Sequence, residues 1–170
     1  MAHCVLWMDE VEKALSQSNS DDGLSQRVLD ALLTWMARHS SKVFIVATSN
    51  NIERLSPELV RKGRLDEIFF VDLPKPEVRR EILEFHLHRR NRPPCSFDLN
   101  SLTHASEDFT NAEIEQAIVS SLYAAHAQED QLDTLHLLEE IERTSPLLVV
   151  MAEKVQYLRD WAADRTVPAD

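Results

Sequence analysis

At 170 residues, 44% of them hydrophobic and 28% charged, the chain has the composition of a globular protein with material for one core or two small ones. A net charge of −11 argues against broad binding to a phosphate backbone, and no apolar run is long enough to span a bilayer. Cys4 and Cys95 stand too far apart to suggest a disulfide framework or a zinc knuckle. The two glycines, Gly23 and Gly63, exclude a glycine-rich phosphate cradle within these residues.

In chain order, Val5 to Met8 is expected as a buried strand, followed by the start of a helix over Val11 to Leu15. Ser16 to Gly23 is polar and reads as a loop. Leu24, Val28, Leu32, Trp35 and Met36 recur at helical spacing and predict an amphipathic helix ending near His39. Val43 to Ala47 is a second buried strand and Ile68 to Val71 a third. Between them Ser56-Pro57 opens a short helix, serine as cap and proline at the first helical position. After Pro74 the chain reads as nearly all helix. Pro76 starts a helix to about His88, which Arg92-Pro93-Pro94 stops. A short helix is expected over Asp98 to Ala105, and Thr110 with Glu113 forms a capping box ahead of Ile114, Ala117, Ile118 and Leu122. Further helices are expected over Thr134 to Arg143 and Val150 to Ala163. The basic run Arg89-Arg90-Asn91-Arg92 could form a local phosphate-binding patch but reads first as a solvated helix end, so no nucleic-acid partner is expected. The N-terminus lacks the features of a signal peptide, and a cytoplasmic location is the default expectation.

Chemistry concentrates where the strands end. The first strand runs into Asp9-Glu10, two adjacent carboxylates at what would be the carboxyl edge of a parallel sheet. In a nucleotide-hydrolysing fold the first can hold a metal-bound water and the second can polarise the attacking water. An acidic helix start would produce the same pair, since carboxylates favour helix N-termini. The second strand ends Ala47-Thr48-Ser49-Asn50-Asn51, so an asparagine would stand at the same edge and could orient the water that Glu10 polarises. A turn-forming Asn-Asn pair is the plainer alternative. Arg61 and Arg64 bracket Gly63, exposing guanidinium groups within reach of a neighbouring subunit's phosphate; surface salt bridging would explain either arginine alone.

Together these motifs resemble the C-terminal part of an AAA+ ATPase. Cys4 to Glu10 is similar to the Walker B strand and Val43 to Asn50 to the sensor-1 strand. Pro57 to Asp66 resembles the segment "P-x-L-x-R-x-G-R-x-D" with two arginine fingers, and the likeness continues through Asp72-Leu73-Pro74 to about residue 145. Trp7 to Ala14, Leu33 to Met36 and Ala47 to Ile52 resemble the hypothetical chloroplast reading-frame AAA proteins.

The resemblance implies an α/β fold: a partial P-loop NTPase parallel sheet, its first half missing, followed by an all-helical AAA+ lid. The expected domains are residues 1–74 for the α/β part, 75–145 for the lid and 146–170 for a C-terminal helix. It implies Asp9 as the carboxylate that organises Mg²⁺, Glu10 as catalytic base, Asn50 as sensor 1, and Arg61 and Arg64 as fingers acting on a neighbouring subunit. His86 takes the position of a histidine near the nucleotide's ribose and base. The lid signature "Ser-Gly-Ala" appears as Thr110-Asn111-Ala112, which puts a side chain where glycine would allow close approach to adenine. The family activity is Mg²⁺-dependent ATP hydrolysis coupled to remodelling of a protein substrate, in a ring, hexameric by family habit, of self or of a full-length homologue.

The loop "GxxxxGK[ST]", whose backbone N–H groups, lysine and hydroxyl hold phosphates and Mg²⁺, is not among these residues. The expectation is therefore a truncated ATPase that does not turn over ATP alone. The alternative is a noncatalytic interaction subunit or docking module that completes a partner's ring site.

Overall fold

A computed structural model describes residues 4–15, 22–38, 43–61 and 63–169, with backbone only for 14, 15 and 22–26. The chain divides into two compact units, Met1–Phe69 and Phe70–Asp170. Among the described residues no helix is long and apolar enough to cross a membrane.

In the first unit the strands β1 (Cys4–Met8) and β2 (Val43–Ala47) pair in parallel, Cys4 opposite Val43 through Met8 opposite Ala47. Parallel neighbours need a crossover, supplied here by the helices α1 (Val11–Leu15) and α2 (Asp22–Arg38). Residues 16–21 of the expected polar loop and His39 lie outside the described residues; Asp22 and Gly23 already belong to α2. The core consists of Val11, Leu29, Leu33 and Leu59, with Leu32, Met36 and Leu55 packed against it. The buried stripe of α2 is therefore rotated from the expected one, and Val28 faces solvent.

Both strands were expected to be buried, and neither is: Val5 is 66% exposed, Trp7 62% and Phe44 67%. The reason lies in the sheet, which holds only β1 and β2 among the described residues. Apolar runs of this kind are suited to a parallel sheet covered on both faces. The helix expected from Pro57 is also not formed. Ile52–Arg54 makes one 3₁₀ turn capped by Asn51, and Pro57–Leu59 is a turn closed by Leu59 N–H on Ser56 O at 3.0 Å. A single turn fixes many dihedrals for one hydrogen bond, and the turn that follows, closed by Arg64 N–H on Arg61 O at 3.2 Å, passes through Gly63 at φ +91° and does not extend a helix.

The second unit is helical. Its elements are α3 (Pro76–Arg89), α4 (Leu99–Ala105), α5 (Asn111–Ala127), α6 (Thr134–Arg143), α7 (Leu147–Val150) and α8 (Ala152–Ala162). Pro76 opens α3 and Thr110 with Glu113 forms a complete capping box, as the sequence predicts, whereas Asp98, expected inside the short helix, caps α4 by accepting from Asn100 and Ser101 N–H. Leu83, Leu87, Leu102, Ile114, Ile118 and Leu137 pack as one core. Arg79 is buried yet paired. Its guanidinium donates to Thr103 O at 3.1 and 3.3 Å and to Pro74 O at 3.0 Å, which fixes the entry to α3 against the end of α4.

The C-terminal helix expected over Val150 to Ala163 is broken into α7 and α8 at Met151, whose φ of −122° leaves the helical range. Arg159 on α8 holds Asp72 through a two-pronged pair, both contacts at 2.9 Å. The third expected strand shrinks to β3 (Phe69–Phe70), paired with β4 (Val167–Pro168). Pro168 has no N–H to donate, which limits this ladder.

Candidate active site

The parallel register sets Met8 beside Ala47, so the residues leaving both strands emerge at one edge. Thr48 ties that edge together. Its N–H donates to Met8 O at 2.9 Å, its carbonyl accepts from Val11 N–H at 2.9 Å, and its hydroxyl accepts from Glu10 N–H at 3.0 Å while donating to Asp9 Oδ1. One threonine thus fixes the backbone on either side of the carboxylate pair and leaves Asp9 Oδ2 for other partners.

Glu10 sits at φ +47°, a left-handed conformation that costs a non-glycine residue on the order of 1–2 kcal/mol. The other described non-glycine residues at positive φ, Asn91, Asp108 and Glu129, each follow a helix; Glu10 alone among them follows a strand. The turn gives its side chain to Asn50, whose Nδ2 donates to Glu10 Oε1 at 3.1 Å. Lys13, one turn along α1, donates to Glu10 Oε2, and this bond chiefly holds the lysine's pKa above its ordinary value. The structure therefore brings Asp9, Glu10 and Asn50 together in one constellation.

The two arginines of the following loop differ. Arg61 is exposed, whereas Arg64 is half-buried and donates from NH1 to Leu33 O at 2.7 Å, anchoring the loop to α2. In the second unit, His86 is buried on α3 with Nε2 3.1 Å from Asn111 Oδ1, and Arg90 NH1 lies 3.2 Å from Nδ1. An amide oxygen accepts and a guanidinium donates, so the arrangement fits the Nε2–H tautomer. Arg90 also pairs with Glu115 at 2.7 Å, and this bond chiefly holds the Glu115 carboxyl below its usual range. Asn111, the residue in place of glycine, thus engages the histidine; Ala112 beside it is exposed.

Sequence reasoning missed Thr48 and Glu12. A threonine at a strand end looks like an ordinary turn residue, and a glutamate in a first helical turn looks like a helix-dipole partner. The available signal for Thr48 was its place immediately after the strand that must lie beside Asp9.

Residues 1–73 match the ATPase family associated with various cellular activities (AAA). The chain belongs to this AAA family. It is 40% identical over 167 residues to an uncharacterized AAA domain-containing protein ycf46 of Pyropia yezoensis, covering 96% of this chain and 34% of that one. It is 33% identical over 135 residues to a mouse nuclear valosin-containing protein-like protein, covering 75% of this chain and 16% of the relative. The chain thus spans about a third of the length of the ycf46 relatives it matches. The structure resembles the FIGL-1 AAA domain in complex with ADP, with a TM-score of 0.74 at 15% identity, covering 95% of this chain and 57% of that one. At that identity the likeness establishes the AAA fold.

Asp9 fits a partial Mg²⁺ site. Mg²⁺ characteristically takes one or two carboxylates together with waters and substrate phosphates, and Asp9 Oδ2 has no hydrogen-bond partner among the described residues. No cluster of three metal-ligating side chains occurs among the described residues, so the ion would be held jointly with the nucleotide.

Proposed function

We propose that this AAA segment supplies the hydrolytic half of a Mg²⁺-dependent ATPase site whose turnover drives remodelling of a protein substrate. The observation that carries this reading is the Asn50–Glu10 hydrogen bond at the edge of two parallel strands, beside Asp9. Glu10 accepts a proton from the attacking water, and Asn50 holds carboxylate and water in line. The water oxygen bonds to the γ-phosphorus as the bond to the β–γ bridging oxygen breaks, yielding ADP and phosphate. Asp9 would hold Mg²⁺ with the phosphates, and the ion would neutralise charge on them.

In this reading, exposed Arg61 reaches the nucleotide of a neighbouring subunit in a ring, and Arg64 joins it by exchanging its bond to Leu33. His86, Asn111 and Ala112 take the base-side positions of the family. These 170 residues hold no GxxxxGK[ST] loop, so the phosphate cradle must come from residues outside them. That same feature favours a second reading, in which the chain serves as a noncatalytic subunit that completes a partner's site through Arg61.

Phosphate release tests both. The 170-residue chain alone is expected to give no turnover above background; robust hydrolysis abolished by Glu10→Gln would overturn the requirement for an outside cradle. Mixed with a full-length ycf46 relative, the chain should co-assemble and alter the ATPase rate in a way that Arg61→Ala removes. Absence of both co-assembly and Arg61 dependence would overturn the ring reading.

A further inference from the structure

The turn that carries Asn50 is gripped by a carboxylate with no part in the hydrolytic scheme. Glu12 lies two residues beyond Glu10 in α1, yet only 3% of it is exposed. Burying a carboxylate is costly unless donors meet its oxygens. One donor comes from 38 positions away: the backbone N–H of Asn50, 3.1 Å from Glu12 Oε1. The other oxygen, Oε2, is buried and has no hydrogen-bond partner among the described residues. A helix-dipole carboxylate would instead sit in solvent at the helix start, and an unconstrained side chain would turn Oε2 toward water.

Glu10 and Glu12 therefore hold the two ends of one residue. Glu12 holds the main chain of Asn50, and Glu10 accepts from its side-chain amide at 3.1 Å. Between them Val11 is buried in the unit's core and donates its N–H to Thr48 O at 2.9 Å, so the two glutamates are fixed relative to each other. Burial raises the Glu12 pKa, but the N–H of Asn50, its own N–H, the Ser49 hydroxyl and the Lys13 ammonium outweigh burial and hold it below the ordinary value. A carboxylate whose neighbours favour its charged form is suited to a permanent anchor.

We infer that Glu12 is a positioning residue, fixing the Asn50 backbone so that its side-chain amide is delivered to Glu10. The functional meaning rests on the reading of Glu10 and Asn50 as the water-handling pair; the geometric claim stands apart from it. Without Glu12 the Asn50 turn loses its long-range acceptor, and the Nδ2–Oε1 contact becomes one option among several rotamers.

The test uses isotope-labelled 170-residue chain and NMR. In the parent, Glu10→Gln should shift the Asn50 Nδ2H₂ resonances. With Glu12→Ala that response should vanish, and exchange protection of the Asn50 N–H should fall about tenfold, as expected for one charge-assisted bond. Glu12→Gln, which keeps an acceptor oxygen at the same reach, should restore both; Glu12→Asp, shorter by one methylene, should not. These two arms decide the matter even if Glu12→Ala fails to fold. A core control, Leu33→Ala, should lower the melting temperature and leave the response intact. An undiminished Asn50 response in Glu12→Ala, or rescue by Asp and not by Gln, would overturn the inference. Failure of the ATPase reading would appear elsewhere, as phosphate release indifferent to Glu10 in every assembly, and would leave these resonances unchanged.

Discussion

Asn50 Nδ2 stands 3.1 Å from Glu10 Oε1, a contact between residues 40 positions apart that exists because β1 and β2 end at the same level. A neutral amide donating to a carboxylate orients it without neutralising it, which is what a base acting on water requires. In any assembly that supplies a phosphate cradle to these residues, Asn50→Ala should lower turnover by about 10²-fold, with a larger loss for Glu10→Gln. Nucleotide affinity should change little, because neither side chain binds the phosphates in the proposed scheme. Phosphate release and nucleotide titration on the same variants check this; a loss confined to affinity would contradict the assignment.

Thr48 is the next test of the same edge. Its hydroxyl serves Asp9 Oδ1 and Glu10 N–H at once. Thr48→Val keeps shape and branching and removes both bonds, so the first unit should lose about 1–3 kcal/mol. Thr48→Ser keeps the hydroxyl and should lose less. Denaturant unfolding followed through Trp7 and Trp35, both in the first unit, reads the difference.

These residues also mark how far the sequence could be read. Asp9, Glu10 and Asn50 were legible because each ends an apolar run, and strand ends in a parallel sheet share an edge. The helical unit was legible through its helix starts, because Pro76 and the Thr110–Glu113 box act within a few residues of themselves. Burial of β1 and β2 was not legible, since an apolar run states what a strand tolerates and says nothing about which neighbours are present. Nor were Glu12 and the anchoring of Arg64 on Leu33. Both depend on a partner more than thirty positions away, and no local pattern announces such a contact.

Glu113 does more than close a capping box. It accepts from the Thr110 N–H and hydroxyl, both at 2.8 Å, and its other oxygen accepts from Leu147 N–H at 2.7 Å, tying the start of α7 to the start of α5. Glu113→Ala should cost about 1–2 kcal/mol, at the upper end for a lost cap, and expose the chain around Leu147 to proteolysis. Thr110→Ala should cost less and leave the Leu147 contact. Limited proteolysis with mass mapping separates the two; equal cleavage near Leu147 in both variants would show that Glu113 does not hold that segment.

Two N-cap carboxylates give the helical unit a defined acid response. The His136 N–H is the largest influence on Asp133; burial opposes it, the His136 ring assists it, and the carboxyl stays below its ordinary pKa. At Asp98 the Ser101 hydroxyl has the leading role in the same direction. A carboxyl with a depressed folded pKa binds its proton more weakly in the folded chain than in the unfolded one. Its contribution is fully present above the unfolded value of about 3.9 and is lost as pH falls through the lower folded value. Stability of the helical unit should therefore drop as pH falls below about 4, beyond the loss from net charge alone. Asp133→Asn keeps a capping oxygen toward His136 and removes the titration, so it should weaken the cap at pH 7 and flatten the decline in acid. Urea unfolding monitored by far-ultraviolet circular dichroism, in parent and variant across that window, measures both effects. Parallel acid curves would mean that the unfolded chain holds the Asp133 proton no more tightly than the folded one does.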